Sequence, residues 1–371
     1  MRPLEGLLVL DFSTLLPGPL ASLVLAEAGA RVVKIERPGR GDEMRSYDPK
    51  VGADSVNFVM LNRGKQSIAI DLKAPDAVER LKPLIQTADV IVEQFRPGVM
   101  ERLGLGYEAV RKLNPKIVYC SITGWGQTGP KAQVAAHDLN YMAETGVLGL
   151  SAGADGAPVL PPVLAADVAG GTLPAVINIL LALRQRDLTG YGSHLDVAMG
   201  DSLFTFLYWA LGEGFSGHGW PGGGDALVTG GSPRYQIYRT ADDRYLAAAP
   251  LEDKFWENFT RIIDLPVALR DPAAPAEAVK AAIAERIGAR SADAWRAAFE
   301  GHDVCCSIVA TLEEAVADAH VSARGLFAHA LKADGRELPA LPVPLAPVFR
   351  PQPTRATAPQ LGETVDPLLA V

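Results

Sequence analysis

The sequence predicts an α/β protein with a large domain built on a doubly wound parallel sheet and a smaller α/β domain after it. Three observations predict this. Up to about residue 125, short apolar runs alternate with helix-patterned runs, the signature of repeated βαβ units. A glycine-dense stretch over 212–233 then interrupts the chain, as a mobile loop or inter-domain connection does. Beyond it come a hairpin pattern, several helical patterns and a proline-rich tail. The expected boundaries are 1–212 for the large domain, 213–325 for the small one with its linker at 213–233, and 326–371 for a return segment.

The elements follow in order. "LLVLDF" reads as a buried strand, "TLLPGP" as a loop, "LASLVLAEAGA" as a helix ending near Gly29, and "RVVKIE" as a second strand. "SIAIDL" is a third strand, and "PDAVERLKPLIQTA" a helix with Pro75 and Asp76 at its start. "DVIVEQF" is a fourth strand, "GYEAVRKLN" a helix and "KIVYCSITGWG" a fifth strand. "TLPAVINILLALRQRD" and "SHLDVAMGDSLFTFLYWAL" both read as helical. "YQIYRT" and "YLAAAP" form a hairpin, followed by helices from Asp253 to about Ala323. The apolar stretch "LPAVINILLAL" is too short to span a bilayer, and the N-terminus lacks a signal peptide's features, so a soluble cytoplasmic protein is expected.

A formal net charge of −8 argues against wholesale binding to nucleic acid or an anionic membrane. Three cysteines without a CxxC fit a reducing compartment and are expected to be buried thiols. The first turn, "STLLPGP", lacks the G-x-G-x-x-G of a dinucleotide site, although Glu36 ends the second strand where a ribose-binding acid would stand. Basic residues gather instead mostly after strand ends: Lys34, Arg37, Arg40 and Arg45 at the second strand, Arg96 and Arg102 just past the fourth, with Arg63 and Lys65 preceding the third. Ligands of such sheets bind at that edge, and guanidinium forks suit phosphate oxygens. Against this reading stands a set of solvated surface charges.

Several segments carry a resemblance: "LEGLLVLDFS", "ARVVKIERPGRGD", "NRGKQSIAIDLK", "FRPGVMERLGLGYE", "CSITGWGQTGP", "HDLNYMAETG" and "DVAGG". Together they resemble the family III CoA-transferases (CaiB/BaiF type) up to about residue 255, and the motifs are closest to the α-methylacyl-CoA racemase branch. The resemblance implies a Rossmann-like large domain, a small domain, and two subunits interlinked as a homodimer. It implies acyl-CoA as substrate, with no cofactor beyond coenzyme A. Arg37, Arg63 and Lys65 would contact CoA phosphates, Leu72 and Lys73 would line the adenosine, and Arg96 and Arg102 would complete the cleft.

The family runs two chemistries. Its transferases attack the thioester with an aspartate, and the matching position is Asp167. The glycines after Asp167 would leave room for the thioester, and a helix dipole would keep its carboxylate ionised. Its racemases exchange an α-proton between two carriers. His137 falls at the racemase histidine and Glu252 at a further catalytic-region glutamate. Asp138 would orient the histidine loop or bond to backbone, and Asn140 and Tyr141 would shape the acyl pocket. The leading expectation is a 2-methylacyl-CoA racemase, the alternative a CoA-transferase, and the distant alternative a non-catalytic CoA-binding protein. The other five histidines show no metal-ligand spacing, so no metal is expected. Asp196 and Asp201 are expected on a helix, in structural or dimer-contact roles.

Overall fold

The computed structural model describes residues 2–153 and 155–364. They divide into two compact units, the first made of 2–145, 163–206 and 322–364, the second of 146–153, 155–162 and 207–321. Residues 146–162 therefore pack with the second unit, although they precede the glycine-dense stretch.

The first unit holds a six-stranded sheet: β1 (Leu8–Asp11), β2 (Arg31–Glu36), β3 (Gln66–Ala69), β4 (Val90–Glu93), β5 (Val118–Thr123) and β6 (His194–Ala198). Its order is β3-β2-β1-β4-β5-β6, with every neighbouring pair parallel. Parallel strands need both faces covered, which explains why β1, β4 and β5 are buried end to end. The covering helices include α1 (Pro17–Glu27), α2 (Val56–Asn62), α3 (Ala77–Thr87), α4 (Val99–Arg102), α5 (Tyr107–Leu113), α6 (Asp138–Glu144) and α7 (Leu173–Thr189). Leu10, Val33, Leu81, Leu84, Ile91 and Ile117 form the main core on one side.

Three local expectations are corrected. Helix α1 begins at Pro17, because proline's fixed φ suits a first helical position that needs no N–H. "SHLDVA" is not helical but the sixth strand, an edge strand with His194 and Asp196 exposed and Val197 and Ala198 buried. The apolar helix is also longer than expected. A π-helical turn, Ala166–Thr172, runs into α7, and the resulting 24-residue helix Ala166–Thr189 is long and apolar enough to cross a membrane by length and composition. Here α7 packs on β5 and β6, burying Ala175, Ile179, Ala182 and Leu183. A short helix, α8 (Met199–Leu203), follows β6.

The second unit pairs β7 (Gln236–Arg239) with β8 (Tyr245–Ala248) as a hairpin and adds β9 (Cys306–Ile308), antiparallel to β8. That strand interrupts the expected run of helices. Trp256, Phe259, Ile283 and Trp295 centre its core, and the Trp295 indole N–H donates to the Ile287 carbonyl at 2.8 Å. Of the cysteines, Cys120 is buried, Cys306 half-buried and Cys305 exposed, which corrects the expectation of three buried thiols. The proline-rich tail belongs to the first unit, where β10 (Ala330–Ala333) pairs with β11 (Arg336–Pro339) and with β12 (Arg355–Ala356).

Candidate active site

Strand order reverses direction between β1 and β4, and the loops leaving the carboxyl ends of these strands enclose two cavities there, both within the first unit. This is where open α/β sheets place ligands, because the loops on either side diverge. The first cavity, about 350 Å³, is walled by Leu15 and Pro17 after β1, 94–97 after β4, Gly124 and Trp125 after β5, and Met199 after β6. His137, Asn140, Tyr141 and Asp167 complete it.

The His–Asp pair sits at the start of α6. His137 is its N-cap residue, and the Asn140 carboxamide accepts the His137 backbone N–H at 3.0 Å. Asp138 turns inward, is 6% exposed, and accepts the Asp167 backbone N–H at 2.9 Å. Of the two roles expected for Asp138, the structure shows the backbone bond, and the backbone is that of Asp167 itself. Asp167 lies in the π-helical turn, a helix type common at functional sites. Burial pushes its carboxyl up to about 6, with Asp138 adding and His137 opposing. Burial and the neighbouring carboxylate thus act against the expected pull of a helix dipole on its ionisation.

Tyr141 donates its hydroxyl to the Ala136 carbonyl at 2.9 Å and packs edge-on to Trp125 at 5.2 Å. Burial, aided by Asp167, pushes its phenol up to about 12. The glycines after Asp167 allow close packing against α8. A Cβ on Gly170 would lie 2.5 Å from the Met199 carbonyl oxygen.

The second cavity, about 320 Å³, is lined by Phe12, Thr14, Glu36, Arg37, Leu72, Lys73, Phe95, Val99 and Leu103, among others. Phe95 faces both cavities. The eight basic residues separate into two groups. Arg37, Arg40, Arg96 and Arg102 are exposed, with Arg37 in the second cavity and Arg96 in the first. Arg102 lies on α4 and lines neither.

Lys34, Arg45, Arg63 and Lys65 are buried and paired. Arg63 meets Glu27 at 2.7 Å and donates to the Met60 and Leu341 carbonyls. Lys65 donates to Asp11, Ser22, Asn62 and the Pro19 carbonyl. Their donors are occupied within the protein, so the expected contact of Arg63 and Lys65 with CoA phosphates is corrected to a structural role. Lys34 meets Asp42 at 2.9 Å. Glu36 likewise accepts from Arg45 and Ser67 and is no ribose ligand.

Glu252 belongs to the second unit, exposed at the N-cap of α9 (Asp253–Ile262). Asp196 accepts the Gln127 N–H from strand β6, and Asp201 is exposed on α8. Among the described residues no cluster of three or more histidine, cysteine or acidic side chains could hold a metal. Sequence reasoning missed Phe95, Trp125 and Met199, although each follows the end of a strand, which was the available signal.

Residues 4–365 match CoA-transferase family III. The chain is 35% identical to the α-methylacyl-CoA racemase of Homo sapiens, over 94% of this chain and 90% of that protein. It is 32% identical to the acetyl-CoA:oxalate CoA-transferase of Acetobacter aceti, over 97% and 93%. The structure of a CaiB/BaiF family protein from Brucella suis superposes with a TM-score of 0.83 at 29% identity, covering 98% of this chain and 97% of that one.

Proposed function

Because the chain belongs to CoA-transferase family III, we propose that it handles acyl-CoA thioesters and, more narrowly, that it inverts the α-carbon of a 2-methyl-branched acyl-CoA by proton exchange. One observation carries the narrower reading: His137 and Asp167 line the same cavity, and Asp167 has a carboxyl raised to about 6. A carrier with a pKa near the working pH both accepts and returns a proton efficiently. One of the pair removes the α-proton as the thioester becomes an enolate, and the other protonates the opposite face. Roles reverse for the other enantiomer. Tyr141, Trp125 and Phe95 form an aromatic wall suited to an acyl chain.

The nucleotide end of CoA would occupy the second cavity, with Leu72 against the adenosine and Arg37 and Lys73 near its phosphates. Arg96 would meet the thioester arm, and the exposed Arg102 would act only at the rim. A second copy of the chain is proposed to cover the outward side of α7, where Ile177, Leu180, Leu181 and Leu188 lie open to solvent. Cytosolic location belongs to the same proposal, as does the absence of any cofactor beyond CoA.

The transferase reading rests on the same Asp167, whose carboxylate would attack the thioester carbonyl and expel CoA thiolate, leaving an acyl anhydride. One substrate panel separates the two. Incubation of a 2-methylacyl-CoA in D₂O without any acceptor acid is expected to wash deuterium into the α-position. His137→Ala is expected to lose about 10²–10⁴ of that rate. CoA transfer to a free acid, with a hydroxylamine-sensitive Asp167 adduct and no α-exchange, would overturn the racemase reading.

A further inference from the structure

Glu93 closes β4 and is 4% exposed. Its Oε2 accepts the Phe95 N–H at 2.8 Å, and the next residue, Gln94, accepts the Gly18 N–H through Oε1 at 3.1 Å. These two side chains fasten the turn 94–97. That turn contains Phe95, the wall common to both cavities, and Arg96, which lines the first. On its other side Glu93 stands opposite Ser121, its register partner on β5. The Ser121 hydroxyl lies 3.0 Å from His194 Nε2 on β6, and the His194 ring stacks on Tyr107 at 5.0 Å while remaining exposed. Glu93, Ser121 and His194 thus form a column of facing polar side chains running from the turn to the surface.

We propose that Glu93 is a positioning residue, a latch connected through Ser121 and His194 to solvent, that holds the turn dividing the two cavities. The inference rests on the acyl-CoA reading only for what fills the cavities.

The charged groups acting on Glu93 are Glu101 from α4 and Asp196 from β6, with the uncharged Tyr119, Cys120 and Ser121 on β5. No cation appears among the groups that set its ionisation. Burial pushes the carboxyl up to about 7, and the two carboxylates add to it. In the neutral form, Glu93 donates to Ser121, which donates to His194. In the ionised form the column reverses, with His194 donating to Ser121 and Ser121 to Glu93. Every proton keeps a partner in both states, but the ionised state buries a negative charge beside two others. Water stabilises that charge better, so ionisation draws the side chain outward and the Phe95 N–H loses its acceptor.

Hydrogen–deuterium exchange of the 94–97 segment, without ligand and corrected for intrinsic rates, tests the latch. Protection is expected to fall as pH rises through about 7 in the wild type and to stay level in Glu93→Gln. Calorimetry with CoA over pH 6 to 8.5 is the second arm. Wild-type affinity is expected to weaken relative to Glu93→Gln as pH rises through about 7. In Ser121→Ala the midpoint is expected to move up, because the bond favouring the charged form is gone. Equal exchange profiles in wild type and Glu93→Gln would overturn the latch. So would an unmoved midpoint in Ser121→Ala, or exchange that changes while CoA affinity does not follow. If CoA fails to bind any form, the acyl-CoA reading falls instead, and the exchange arm still decides the latch.

Discussion

Asp167 concentrates the chemistry of the site and also strains it. Its folded pKa of about 6 lies above the ordinary carboxylate value, so the native protein holds this proton more tightly than the unfolded chain does. The stabilisation is complete below about pH 4 and lost as pH rises through 6. Asp167→Asn is therefore expected to make the fold more stable at pH 8, by up to about 2 kcal/mol, and to abolish turnover. Paired urea melts at pH 4 and pH 8 check this, since the gain should vanish at the lower pH. The basic residues make a parallel point. Arg37→Ala is expected to weaken CoA binding and its salt dependence with little change in melting. Arg63→Ala is expected to cost about 3 kcal/mol of stability, because it leaves the half-buried Glu27 unpaired and the Leu341 carbonyl without its donor. Equal melting of the two variants in the same urea series would refute the separation of cations into ligands and struts. No local pattern distinguishes these roles, because the partner that buries Arg63 includes the Leu341 carbonyl, 278 residues away.

At the scale of elements, most of the sheet was legible because parallel strands buried on both faces read as unbroken apolar runs. Strand β6 was not. It is an edge strand paired only to β5, and its alternating exposed His194 and Asp196 removed that signal. The site's histidine loop was legible by resemblance, while its support was not: the Asp138 bond to the Asp167 backbone joins α6 to the π-helical turn across 29 residues. The join between β5 and α6 is similarly tight. A Cβ at Gly124 would stand 2.4 Å from the Tyr141 hydroxyl oxygen. Gly124→Ala is expected to displace Tyr141 and cost about 1–3 kcal/mol. It should also raise KM more than it lowers kcat, since the wall of the acyl cavity moves while the proton carriers stay. Steady-state kinetics beside a thermal melt would show it; unchanged values of both would mean the contact is slack.

For the whole molecule, the outward side of α7 makes the assembly testable. Leu181 is 63% and Leu188 70% exposed on a helix whose other side is fixed to the sheet. Replacing both by glutamate is expected to shift sedimentation of the proposed dimer toward a species near 39.3 kDa, and an unshifted profile would overturn the proposal that a second copy covers α7. The return of the tail to the first unit has a consequence for synthesis on the ribosome. Arg45 donates to the Pro359 carbonyl and Arg63 to that of Leu341, so each of these buried guanidiniums lacks one of its acceptors until the last part of the chain has emerged. At about 5–20 residues per second, the 278 residues between Arg63 and Leu341 correspond to tens of seconds. Throughout that interval the nascent sheet must remain hydrated around these two positions, which makes its amino-terminal third a natural client for a chaperone stationed at the exit tunnel.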